Sequence, residues 1–160
     1  MHDDTVASAT VVAIWIKRFK HGPMDAVASA RLIAGRGIAG NADQGGKRQI
    51  TLLDESAWRD VSASLHAEVD PRLRRANVML RGIDLYRTHR RTLRIGACRI
   101  RIYGEVTPCR KMEESLAGLQ EAMRPRWRGG AFGEVLDDGE IAVGDAVSWL
   151  EEQLPLLGGC

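Results

Sequence analysis

Thiols are scarce in this 160-residue chain, and the three it has, Cys98, Cys109 and Cys160, form an odd set without C-x-x-C spacing. That pattern excludes a disulfide framework, a zinc knuckle and an iron–sulfur cluster, and leaves reduced thiols as the expectation. Histidine is equally sparse: positions 2, 21, 66 and 89 share no metal-ligand spacing and read as surface residues. No apolar run approaches the roughly 20 residues of a membrane helix. The stretch ATVVAIWI follows Asp3 and Asp4, where a signal peptide would carry positive charge, so the expectation is a soluble, cytoplasmic protein. There is no internal repeat and no low-complexity linker. With 44% hydrophobic residues, the length suits one domain over residues 1–160, its core at about 11–150.

Negative charge is missing from one segment in particular. Residues 72–101 hold ten arginines and a single acid, Asp84, although the whole chain is nearly balanced at +2. A local positive field points to an anionic partner such as a phosphate. Aromatics are too few in that window, Tyr86 alone, for an interleaved nucleic-acid reader, which argues against nucleic acid as a partner.

What is present reads mainly as short strands. Residues 11–16 are a buried β-branched run, 26–34 fit a strand or a helix, and 35–46 form a glycine-rich loop. Residues 49–53 form a strand, and Asp54 or Ser56 opens a helix to about His66, with Asp70-Pro71 ending that element. Strands follow at 77–80 and 92–95, then the alternation CRIRIYGEV, which puts Cys98, Ile100 and Ile102 on the buried face. A helix is expected at 111–123, stopped by Pro125, before a meander at 132–136, 141–143 and 146–150. Many short strands with two modest helices suggest a closed or nearly closed β-barrel.

Two glycine patterns fail on context. Gly35 to Gly40 spells G-x-G-x-x-G, yet no helix follows to face a pyrophosphate, and GGKR lacks the hydroxyl residue that a P-loop places after its lysine. Cys109 is different. Pro108 fixes the backbone before it, a helix begins after it, and Arg110 and Lys111 add positive charge, against Glu113 and Glu114. That setting favours a thiolate, which serves as nucleophile, sulfur carrier or soft-metal ligand; the competing reading is a small packed residue at a helix start.

Four segments in order, GRGIAGNADQGGKRQITLLD (35–54), RRANVMLRGIDL (74–85), LRIGACRIRIYGEVTPCRKME (93–113) and RGGAFGEVLDDGEIAVGDAV (128–147), resemble the MOSC domain, named for the C-terminal domain of molybdenum-cofactor sulfurase. The resemblance implies a β-barrel of the kind seen in pyruvate kinase, and makes Cys109 the reactive thiol and a ligand to molybdenum. It also implies that Arg75 and Asn77, as an Arg-x-Asn element, hold the phosphate of molybdopterin. Thr107, Arg110 and Arg48 are further candidates for cofactor contacts. The glycine loop departs from the family pattern, with Asn41, Ala42 and Asp43 after Gly40. Three activities are compatible with the family: reduction of N-hydroxylated compounds with a separate electron donor, carriage of a Cys109 persulfide supplied by a cysteine desulfurase, or non-catalytic binding of a pterin or phosphate ligand. Neither a desulfurase segment nor a second barrel nor a ferredoxin-like extension is recognisable, so the chain reads as a minimal domain dependent on partners. Trp127 and Trp149 could line a pocket or the core, and residues 154–157 could pack on a partner subunit.

Overall fold

The protein is described by a computed structural model over residues 9–150, and the tail at 154–157 and Cys160 lie outside the described residues. The apolar run near the N-terminus forms strand β1 (Thr10–Lys17), which turns back into β2 (Met24–Val27). The stretch at 26–34, readable as strand or helix, resolves into the end of β2 and all of β3 (Ser29–Ile33). The glycine-rich loop contains a two-residue strand, β4 (Gly37–Ile38), paired with β3. The G-x-G-x-x-G run therefore lies across a β-turn, with no helix after it.

Strand β5 (Ile50–Asp54) leads directly into helix α1 (Glu55–Ser64). Asp54 caps that helix, its carboxylate accepting from the amides of Ser56 at 2.9 Å and Ala57 at 3.4 Å. Such a cap satisfies amides that have no partner within the helix. The chain returns through a 3-10 helix (Pro71–Arg74) capped by Asp70, so Asp70-Pro71 starts an element as well as ending a connection. Strand β6 (Val78–Arg81) then lies parallel to β5, the crossover running through α1.

The two parallel strands are buried on both faces. Leu52, Val78 and Leu80 enter the main core, while Leu53 and Met79 face a second core under the helices with Trp15, Trp58 and Val61. That double burial is why both strands read as unbroken apolar runs. Strands β7 (Thr92–Ile95), β8 (Cys98–Glu105) and β9 (Ala131–Val135) alternate instead, with Ile95, Cys98, Ile100 and Ile102 fully buried and Arg94, Arg99, Arg101 and Tyr103 outward. Strands β10 (Gly139–Ala142) and β11 (Val147–Trp149) complete the chain. Trp127 and Trp149 are partly buried against the main core.

The long sheet runs β11-β7-β8-β9-β5-β6-β1-β2, and the small one β10-β3-β4. The fold is mainly β with a few short helices, but the sheets are not closed into the barrel expected from the strand count. Only one antiparallel bridge, Thr10 to Ala146, crosses the gap among the described residues. The reason is local: residues 142–145 fold into a tight turn, Asp145 accepting from the Ala142 amide, and this diverts the chain before a ladder to β1 can extend.

A second correction concerns 111–123. That stretch is two helices, α2 (Arg110–Ser115) and α3 (Leu119–Met123), separated at Leu116, which is extended. Gly118 has φ +87°, which glycine adopts without strain. Glu113 stabilises the break, its carboxylate accepting from the amides of Gly118 at 2.7 Å and Gln120 at 3.3 Å. Hydrophobic spacing is kept because Met112, Leu119, Ala122 and Met123 still reach one core.

Candidate functional site

A cleft of about 190 Å³ opens where the end of β1, the glycine loop, the start of β5, the segment after the 3-10 helix and the seam between β8 and α2 meet. Its chemistry is set by Arg74. That side chain is 7% exposed, donating through Nε to the Gly129 carbonyl at 2.6 Å and through Nη2 to the Val106 carbonyl at 3.0 Å. No carboxylate pairs with it among the described residues. Burial lowers its hold on the proton to about 10; the nearby Cys109 opposes this, Arg48 adds to it, and Glu105 opposes it. Arg74 therefore stays cationic at neutral pH, held by neutral carbonyls and facing the cleft.

Sequence reasoning chose its neighbour. Arg75 also lines the cleft, but it is exposed, takes the left-handed conformation at φ 63°, and gives Nη2 to the Gly22 carbonyl at 2.5 Å. The signal for Arg74 lay in Asp70-Pro71: a 3-10 turn starting there carries position 74 inward and leaves 75 at the cap.

Asn77 lines the cleft and is 5% exposed. Its Oδ1 accepts from the amide and hydroxyl of Thr51, both at 3.1 Å. Its Nδ2 donates to the Trp15 carbonyl at 3.2 Å and to Asn41 Oδ1 at 3.3 Å. Both amide hydrogens are thus engaged in tying β1, β5 and β6 together. Asn41 also accepts from the Lys17 amide at 2.9 Å. The unusual loop residues Asn41 and Asp43 accordingly belong to the cleft wall, Asp43 forming a 2.7 Å ion pair with Lys17 Nζ. Arg48 lines the cleft too, its guanidinium carbon 5.1 Å from the Phe132 ring centroid.

Cys109 is exposed and is the N-cap residue of α2, without a side-chain capping bond. It lies outside the cleft's immediate lining, while Val106 and Met112 on either side of it belong to that lining. It is nevertheless near enough to couple electrostatically to Arg74. Thr107 and Arg110 flank it, exposed and outside the lining. Cys98, by contrast, is sealed in the main core, and burial pushes its thiol pKa up. The structure therefore gathers Arg48, Arg75, Asn77 and the unanticipated Arg74 into one cleft, with Cys109, Thr107 and Arg110 at its edge.

Among the described residues, no three His, Cys, Asp or Glu side chains group as a metal site. A metal here would need most of its donors from a bound cofactor, with a single thiolate from the protein. No described helix is long and apolar enough to cross a membrane.

A family model described as the MOSC domain matches residues 33–148. Among solved structures, the YuaD protein of Bacillus subtilis superposes with TM-score 0.75 at 17% identity, over 88% of this chain and 94% of that one. YiiM from Geobacillus stearothermophilus gives 0.69 at 16%, over 89% and 75% of the two chains. YiiM from Escherichia coli gives 0.67 at 14%, over 89% and 70%. At these identities the likeness is one of fold. No curated protein matches the sequence.

Proposed function

This chain belongs to the MOSC domain family, and from that premise we propose that it binds the molybdenum cofactor by its phosphate end and reduces N-hydroxylated compounds with electrons from a separate donor. The observation that carries the reading is Arg74: a buried cation without a carboxylate partner among the described residues, facing a cleft that Arg48, Arg75 and Lys17 also line. A phosphate there would gain charge-assisted hydrogen bonds in a partly desolvated setting, each worth about 1.5–3 kcal/mol. The enclosed volume, about 190 Å³, is below the roughly 300–1,000 Å³ that encloses a drug-sized ligand. The residues present thus fit the phosphate-bearing end and leave the rest of the cofactor outside the enclosed volume.

In this reading Arg74, with Arg48 and Arg75, neutralises the phosphate. Asn77 shapes the floor by fixing Thr51, Trp15 and Asn41, and Cys109 supplies the one protein thiolate. Thr107 and Arg110 border that thiol. The bound cofactor would supply a redox-active molybdenum able to exchange two electrons. The overall conversion, N–OH to N–H plus water, takes two electrons and two protons, and the electrons come from the partner.

One observation favours a second reading. Cys109 is exposed beside the cleft, on a short helix, as a persulfide carrier loaded by a cysteine desulfurase would need to be. The same experiment separates the two. The protein is produced in cells with and without the capacity to make molybdopterin, and bound molybdenum and intact mass are measured for wild type and Cys109→Ser. Molybdenum retained by wild type and lost in the variant supports cofactor ligation. A mass gain of one sulfur on wild type without metal supports carriage, and neither result leaves the thiol without the assigned role.

A further inference from the structure

The outward face of β7, β8 and β9 carries a pattern that the cofactor reading does not use. Arg94 and Arg99 stand directly opposite each other across β7 and β8, and Arg101 follows two residues along β8, about 6.8 Å away. Like charges in register across a sheet cost stability. Asp137 relieves this in part, gripping Arg99 at 2.9 and 3.0 Å and acting on Arg94 through its charge alone. Arg94 and Arg101 are exposed and have no ion pair within 4 Å among the described residues, although Glu134 stands opposite Arg101 on β9 and accepts from the Tyr103 hydroxyl at 2.9 Å. The next outward position on β8 is Tyr103, 38% exposed, its ring centroid 6.2 Å from that of Phe132 on β9. The Arg48 guanidinium carbon is 5.1 Å from the Phe132 ring centroid, so the strip reaches the cleft wall. Thr92 and Ser148 pair with Arg101 and Arg94 in register, adding hydroxyls and no apolar bulk.

We propose that this face binds single-stranded nucleic acid, with Arg94 and Arg101 on phosphates and Tyr103 and Phe132 stacking bases. Charge complementarity selects a polyanion, and the paired rings select one that offers flat aromatic faces. A duplex keeps its bases stacked inside and would leave Tyr103 and Phe132 unused. The aromatics missing from the arginine-rich window of the sequence are supplied by its edge and by a distant strand, which is why the primary structure alone argues against such a ligand.

The test is fluorescence anisotropy with labelled oligothymidylate and oligouridylate at low salt, followed by a salt titration. Wild type should bind, with log K falling against log salt at a slope of about −1.4, as expected for two arginines on a single strand at about 0.7 each. Tyr103→Ser should weaken binding roughly tenfold, Tyr103→Trp should retain it, and the Arg94→Glu, Arg101→Glu double variant should lose it. Thermal melts matching wild type show that these variants are folded. No binding by wild type overturns the proposal. So does a Tyr103→Ser variant that binds as tightly as wild type, or a duplex of equal length that competes equally, since either marks a surface for polyanions or acidic proteins in general. Molybdenum content should be unchanged in Tyr103→Ser, so failure here and failure of the cofactor reading are separable.

Discussion

Replacing Arg74 with methionine tests the anion cleft directly. Burial lowers the hold of Arg74 on its proton to about 10, and at about 1.36 kcal/mol per pH unit this opposes folding by roughly 3 kcal/mol. The sign follows from a cation whose folded pKa is depressed: the penalty is fully present at neutral pH and fades as pH rises past about 10. Methionine removes that penalty but also removes the two bonds to Gly129 and Val106, each worth about 1.5–3 kcal/mol for a charged donor. The net loss is about 0–3 kcal/mol, a fall in Tm of at most about 10 °C. The ligand response is more decisive. At phosphate a hundredfold above Kd, wild type should gain about 2.7 kcal/mol, or roughly 5–10 °C, while Arg74→Met gains almost nothing. Scanning fluorimetry with phosphate and pyrophosphate, against chloride at matched ionic strength, measures both. Equal stabilisation of the two proteins, or of neither, would refute the assignment of the buried guanidinium as the anion grip.

Two further outcomes follow from the network and the charges. Asn77→Leu leaves the Thr51 amide, the Trp15 carbonyl and Asn41 without their shared partner, and should lower stability by about 2–4 kcal/mol, read from the urea midpoint at unchanged m. Asp137 is held at about 2, chiefly by the Arg99 side chain and then by its backbone amide. Its stabilising contribution is therefore complete above the ordinary carboxylate value of about 4 and is lost as pH falls towards about 2. Asp137→Asn should flatten that part of the acid-unfolding curve, and an unchanged curve would contradict the assignment.

Local patterns carried much of this into the sequence. The alternation in β8 named its buried face residue by residue, and Asp54 marked the start of α1, because each depends on neighbours along the chain. Ladder closure does not. Counting strands could not show that the turn at 142–145 leaves a single bridge between Thr10 and Ala146. The helix expected at 111–123 kept its apolar spacing across a real break, and Gly118 was the one local sign of it. The cleft was half legible: Arg75, Asn77 and Arg48 belong to it, but Arg74 depends on how a 3-10 turn rotates two adjacent arginines. Asn77 was expected to help hold a phosphate, and only its distant partners reveal that its amide hydrogens are engaged within the protein.

The split between α2 and α3 has a mechanical consequence for the thiol. Cys109 rides on a six-residue unit that is moored by Met112 and braced against its neighbour by Glu113. The position of the sulfur is therefore set by that short unit and its two attachments, not by one continuous rod.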